Sequence, residues 1–347
     1  MTAQAQIQDG RWLAKDVSLN DYQWTLSDDE RQWLNNIAAK PLINSQLDDT
    51  SPDPVQAKIY QVRNEVDNGV GFYLIKNFPV DDDNETYQTY LKFLSQFGYL
   101  VNQNNLGDLI SVIQDKGFTK EDILEQGVKK GDVKGQTKNR PYQTNLELDF
   151  HSDLADIASL LCLREAKSGG DNYIVSSHAI AEEVRQTEPA LYEVLHQPFY
   201  YYHQNGQIPD GKSHPIDIPV FSSQGGKFAS FFIHQYILAS HQGLGIPLSD
   251  QQKEALDLVT QLTRDNRFMV KVHLNPGEIL LLNSHTTYHA RDAFEDHPDE
   301  AQKRKLYRSW ISIPNSRPLA EHYKMLYGNN QAGEIRGGFH LVRPEGV

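Results

Sequence analysis

Hydrophobic positions recur at helical spacing through the first hundred residues and at strand spacing after residue 146. Ser27-Asp28-Asp29-Glu30 has the form of a capping box: a hydroxyl first, a carboxylate three residues later. It stands ahead of Trp33, Leu34 and Ile37, so a helix begins there. Residues 54–68 place Val55, Ile59, Val62 and Val66 on one face and stop at Gly69. A short apolar run from Gly71 to Ile75 is of strand type, and a third helix is expected over residues 84–97, ended by Gly98.

From Leu146 onward the period changes to two. Strands are expected at 158–164, 172–176, 199–203, 228–235, 268–274, 279–283 and 306–313. Turn chemistry separates them: Ser168-Gly169-Gly170-Asp171, Asp210-Gly211, Gly225-Gly226 and Asn275-Pro276-Gly277. Two helices interrupt, one over 179–195 and one opening at the capping box Ser249-Asp250-Gln251-Gln252, with Leu256, Val259 and Leu262 on its face. Many short strands without regular β–α alternation predict a mainly β body with flanking helices, an α+β chain built on a sandwich or jelly roll. No glycine-rich dinucleotide or phosphate-loop motif occurs.

The expected organisation is an N-terminal helical region, 1–68, packed on a jelly-roll domain, 69–347. Residues 117–139 mix lysines, acids and glycines and read as a polar inserted loop, either a solvated excursion or a lid beside the substrate entrance.

Composition narrows the function. The 347 residues are 39% apolar and 23% charged, a globular balance. Thirty-three basic against 46 acidic side chains give a net charge of −13, which argues against nucleic acid as partner. The single cysteine, Cys162, lies in an apolar run and excludes a zinc ribbon or an iron–sulfur cluster. No secretory leader, membrane span or lipidation signal is legible, so a cytoplasmic protein without a membrane partner is expected. Apolar surface on the α-rich part leaves a homo-oligomer open.

Two His-x-Asp tripeptides occur. His297-Pro298-Asp299 sits in a charged, proline-containing stretch and reads as a solvated loop. His151-Ser152-Asp153 follows the alternating Leu146–Phe150 segment, where residues two apart share a face, so its imidazole and carboxylate can act together as metal ligands. A third ligand is available in the segment ending Ser284-His285-Thr286-Thr287-Tyr288-His289, with one histidine as ligand and the other as its support. Two histidines and one carboxylate leave three positions of an octahedral ferrous ion open, enough for a bidentate 2-oxo acid and then dioxygen. Arg304 and Arg308 are four apart; in an extended strand they would share a face and offer guanidinium groups to carboxylates.

His151-x-Asp153, the Ser168-Gly169-Gly170-Asp171 turn, Asn283 through His289-Ala290-Arg291, and Arg304-x-x-x-Arg308 occur in one order. Together they resemble the taurine / 2,4-dichlorophenoxyacetate dioxygenase family of Fe(II)- and 2-oxoglutarate-dependent oxygenases. The resemblance runs over about residues 69–317. It implies a double-stranded β-helix, the jelly roll. It also implies Fe(II) held by His151, Asp153 and His289, with 2-oxoglutarate as co-substrate and O2 as oxidant. Arg304 would bind the distal carboxylate of 2-oxoglutarate. Asn172 stands where the family often has threonine or serine, with an amide that can still donate to the co-substrate. Arg308 and Tyr142 would face a small, anionic or amino-acid-like substrate. Its C–H bond would be hydroxylated or desaturated, with release of succinate and CO2. Halogenation is disfavoured, because a carboxylate at 153 fills the position that halogenating relatives leave for halide. The competing readings are a zinc hydrolase on the same ligands, which has no need of Arg304, and a non-catalytic jelly-roll binding module whose histidines are satisfied core groups.

Overall fold

The computed structural model describes residues 7–42, 53–104, 106–118, 141–202 and 215–339. In chain order its strands are β1 (Gln23–Thr25), β2 (Phe72–Lys76), β3 (Tyr99–Val101), β4 (Ser111–Ile113), β5 (Leu148–His151), β6 (Ile157–Arg164), β7 (Ser168–Gly169), β8 (Asn172–Ser176), β9 (Pro198–Tyr202), β10 (Pro215–Pro219), β11 (Phe221–Gln224), β12 (Lys227–Ser230), β13 (Met269–Val272), β14 (Ile279–Asn283), β15 (Thr287–Arg291), β16 (Phe294–Glu295) and β17 (Lys305–Ser312). A seven-stranded sheet runs β1-β2-β14-β6-β17-β3, with β4 also pairing β17. A four-stranded sheet runs β13-β8-β15-β5. Every pairing in the two sheets is antiparallel except β1 with β2.

Alternation along three strands explains the larger sheet. Ala158, Leu160 and Cys162 of β6, Leu280 and Leu282 of β14, and Leu306 and Trp310 of β17 point into the core between the sheets. Their neighbours Ile157, Leu161, Leu163, Ile279, Leu281, Tyr307 and Ile311 enter a second core. The helices Asp28–Ala38, Pro54–Asn68 and Asp83–Leu94 cover that side with Leu34, Ile37, Ile59, Val62, Val66, Tyr90 and Phe93. A strand buried on both faces needs no polar alternation, which is why β6 and β14 read as unbroken apolar runs. The helices Ser177–Thr187 and Asp250–Thr263 bury Ile180, Val184, Leu256 and Val259 in the first core. This is the jelly-roll body with flanking helices. No helix among the described residues is long and apolar enough to cross a membrane.

The N-terminal residues contribute a strand, β1, as well as helices. Upstream of it the chain is stitched to the body. Trp12 Nε1 donates to Val70 O at 2.7 Å, Ser176 Oγ donates to Gly10 O, and Arg317 Nη1 donates to Asp9 Oδ1 at 2.9 Å. Most of the expected polar insertion lies outside the described residues, which stop at 118 and resume at 141.

Three local expectations are corrected. The helix over 179–195 is two helices, Ser177–Thr187 and Pro189–Leu195, because a residue before proline is disfavoured in the helical region and Glu188 adopts φ −136°, ψ 65°. The strand over 228–235 ends at Ser230, and a helix, His234–Leu244, follows, closed by Gly245 at φ 67°. Its sequence, with Ile237 buried and Leu238 exposed, fits either period locally; tertiary packing decides. The third helix ends at Leu94 rather than Phe97.

Candidate active site

β5 and β15 are neighbours in the smaller sheet, and their register sets His151 directly opposite His289. The two imidazole centroids are 4.3 Å apart. β5 ends at His151, and Asp153 lies in the turn that follows. Ser152 pins that turn, its N–H donating to Phe232 O at 2.9 Å and its Oγ accepting from Phe232 N at 3.2 Å. Asp153 is brought within 3.6 Å of His289, Oδ2 to Nε2. Residues 138 positions apart in sequence thus meet through one antiparallel pairing and one anchored turn.

The electrostatics favour ligand-ready forms. His151 Nδ1 lies 2.8 Å from Asp149 O, a group that can only accept, so Nδ1 carries the proton and Nε2 keeps its lone pair. Burial, followed by the neighbouring His151, pushes His289 down to about 3, so its ring is neutral at ordinary pH. Burial likewise lowers His151. For Asp153 burial opposes ionisation, but the Arg308 guanidinium beside it holds its carboxyl below the usual value. Its Oδ1 accepts from Arg308 Nη1 at 3.1 Å, while Oδ2 is buried with no hydrogen-bond partner. Among the described residues no group of three or more His, Cys, Asp or Glu side chains, this trio included, already stands in a geometry that could hold a metal ion. The fit of this trio to a ferrous ion rests on its donors: two neutral imidazoles, one carboxylate, and a buried oxygen lacking a partner.

Arg304 stands just before β17. It is 4% exposed, forms no ion pair among the described residues, and has a buried Nη1 without a partner. Its Nη2 donates to Gly170 O at 3.3 Å, and its guanidinium lies over the Phe294 ring at 5.1 Å. Burial lowers it to about 10. The glycine turn is shaped to this side chain. Gly170 has φ +76°, and a Cβ there would meet Arg304 Nε at 2.9 Å. Asn172, the first residue of β8, is buried with its Nδ2 also unpartnered. A buried cation and an orphaned amide donor fit the carboxylate end of a 2-oxo acid.

Arg308 shares the inward face of β17 with Leu306 and Trp310. Besides Asp153 it donates from Nε to Gln103 Oε1 at 3.0 Å. Its guanidinium stacks on Trp310 at 4.5 Å and on Tyr142 at 5.0 Å. Tyr142 is therefore next to the cluster. His285 is not: its Nε2 lies 3.0 Å from Asp156 Oδ1, which Arg336 Nε also meets at 2.8 Å, in a separate buried network. His297 stays in its surface loop, where Asp299 caps a short turn.

Sequence reasoning left three neighbours unassigned. Gln103 follows β3 and has no motif around it. Trp310 was visible only as an apolar strand position. Arg291 is two residues past His289, hence on the same strand face, and is buried; its Nη2 holds Thr144 O at 3.0 Å and also Leu146 O. It thereby ties the segment bearing Tyr142 to the strand bearing His289.

The model of the taurine catabolism dioxygenase TauD, TfdA family matches residues 31–310. FR-33289 synthase of Streptomyces rubellomurinus is 27% identical over 308 residues, covering 85% of this chain and 87% of that protein. The uridine-5'-phosphate dioxygenase of an Amycolatopsis species is 29% identical over 164 residues, 45% of this chain and 56% of that one. Among solved structures, asparagine oxygenase with Fe(II), 2S,3S-3-hydroxyasparagine and succinate superposes with a TM-score of 0.58 at 15% identity, covering 84% of this chain and 93% of that one. The oxygenase OrfP with Fe, succinate and (3S)-hydroxy-L-Arg gives 0.57 at 12% identity, covering 84% and 94%. At those identities the likeness is one of fold, and the fold is the jelly roll. With the family model spanning most of its length, the chain belongs to the TauD/TfdA family of Fe(II)- and 2-oxoglutarate-dependent dioxygenases.

Proposed function

We propose that the protein oxidises a C–H bond of a small, anionic or amino-acid-like substrate, by hydroxylation or desaturation. In the hydroxylation form, one oxygen atom of O2 goes to succinate and the other to the product, and CO2 leaves. His151, Asp153 and His289 hold the iron, which supplies dioxygen activation when bound. Arg304 and Asn172 hold the distal carboxylate of 2-oxoglutarate. Arg308 and Tyr142 border the substrate. The observation that carries the reading is the meeting of His151, Asp153 and His289, with an unpartnered Asp153 oxygen; the same fold buries Arg304, whose Nη1 has no partner. Hydroxylated amino acids in the asparagine oxygenase and OrfP structures support the amino-acid-like class.

The test is anaerobic titration with Fe(II) and 2-oxoglutarate, then aerobic succinate release screened over amino acids and small carboxylates. Fe(II)-dependent succinate release is expected, with loss of both iron binding and turnover in His151→Ala and Asp153→Ala. Turnover with Zn(II) that survives Arg304→Ala would instead support the hydrolase, and an absence of metal binding the binding module.

A further inference from the structure

The two oxygens of Asp153 are not equivalent. Oδ1 is taken by Arg308 Nη1 at 3.1 Å; Oδ2 is buried, has no hydrogen bond, and lies 3.6 Å from His289 Nε2. The guanidinium that makes this distinction is itself fixed on three sides. Gln103 Oε1 accepts from its Nε at 3.0 Å, the Trp310 ring lies 4.5 Å from its carbon, and the Tyr142 ring 5.0 Å. Those partners come from the turn after β3, from β17 itself, and from the segment leading into β5. Arg308 is 8% exposed and Gln103 3%, so neither is a surface group that happens to reach inward.

A carboxylate free to rotate can offer an ion either oxygen, or both. One held by a fixed donor on a single oxygen offers the other alone, and hydrogen-bond partners of metal-binding carboxylates set ligand orientation in this way. We infer that Arg308 is a positioning residue, which holds Asp153 by Oδ1 so that Oδ2 is presented to the iron, and that Gln103 positions Arg308 in turn. The inference rests on the reading of His151, Asp153 and His289 as the iron site. It differs from the role of a substrate anchor, because it operates whether or not substrate is present. Lysine cannot replace the arginine fully, since it carries the charge but not the planar fork that engages Asp153 and Gln103 together.

The experiment uses the full-length protein loaded with Co(II), whose ligand-field absorption reports the geometry of its donors, with no substrate added. Wild type, Arg308→Gln, Arg308→Lys and Gln103→Leu are compared, with His289→Ala as control. Arg308→Gln and Gln103→Leu are expected to shift the Co(II) bands, and Arg308→Lys to restore them in part. Substrate-independent turnover of 2-oxoglutarate by the iron enzyme should fall about 10–100-fold in Arg308→Gln. Should Arg308→Gln not fold, Gln103→Leu carries the test alone. Co(II) bands identical to wild type in the folded variants, with only the substrate KM raised, would overturn the inference while leaving the iron site intact. A wild-type protein that gives no Co(II) bands, or a His289→Ala protein that keeps them, would instead overturn the iron-site reading and this inference with it.

Discussion

Replacing Arg304 by methionine should move two measurements in opposite directions. Burial lowers this guanidinium from its ordinary 12.5 to about 10, a penalty on the charged form of about 3 kcal/mol at 1.36 kcal/mol per unit. Asp296 and Asp171 offset it only in part, without an ion pair among the described residues, and Nη1 has no partner at all. An apolar side chain of similar volume removes the penalty, and such replacements of buried charges range from neutral to about 1–4 kcal/mol stabilising. The ligand-free Arg304→Met protein should therefore melt at or above the wild-type temperature. Co-substrate binding should suffer. Two charge-assisted hydrogen bonds to a carboxylate, each worth about 1.5–3 kcal/mol, put the loss at roughly 3–6 kcal/mol, or about 10²–10⁴-fold in the affinity for 2-oxoglutarate. Thermal-shift titration reads both. At 100 times the wild-type Kd, 2-oxoglutarate stabilises the parent by about 2.7 kcal/mol, and that increment should vanish in the variant. A ligand-free variant destabilised by several kcal/mol, combined with an unchanged 2-oxoglutarate increment, would refute the assignment and make Arg304 a structural group.

Two further expectations follow from the same geometry. Gly170→Ala forces a Cβ to within 2.9 Å of Arg304 Nε at φ +76°, so it should cost about 1–3 kcal/mol by denaturant melt and raise the KM for 2-oxoglutarate without changing iron affinity. The buried His285–Asp156 pair gives the fold an acid limit. Burial sets His285 at about 4, below its unfolded value of 6.5. The unfolded chain then binds the extra proton, so the stability this group contributes is complete above pH 6.5 and falls as pH drops towards 4. Asp156, held below its usual value against burial by Arg336 and His285, loses its contribution at lower pH still, in the same direction. His285 alone should lower the unfolding free energy by up to about 3 kcal/mol between pH 6.5 and 4, in addition to the fall from buried His289 and His151, so the slope should be shallower in His285→Gln. A slope unchanged in that variant would place the acid sensitivity elsewhere.

Much of this was legible in the residue order. Ser27 and Ser249 form the capping boxes that their spacing announces, and the apolar runs of β6 and β14 are central strands. The site was legible where it is built from short motifs, as at His151-x-Asp153 and the strand-like segment ending at His289. It was not legible where partners come from far away. No local signal links Gln103 to Arg308, 205 residues on, or separates His289 from His285, because the difference lies in which side of a turn meets Asp156 and Arg336. The helix His234–Leu244 escaped for a related reason: its apolar residues suit a strand equally well until Ser152 ends the preceding extended run at Phe232.

The stitching of segments far apart in sequence bears on the order in which the fold closes. Asp9 is bound by Arg317, 308 residues later, and Arg336 reaches back 180 residues to Asp156, which also meets Ser312, Ile313 and His285, the last in the turn before the strand of His289. Contacts between residues 180 and 308 positions apart thus close the body around the network beside the turn that precedes the strand of His289. Pairings of such sequence separation form late in folding, however much of the helical layer has already collapsed, because the entropy of closing a long loop is lost before the contact rewards it.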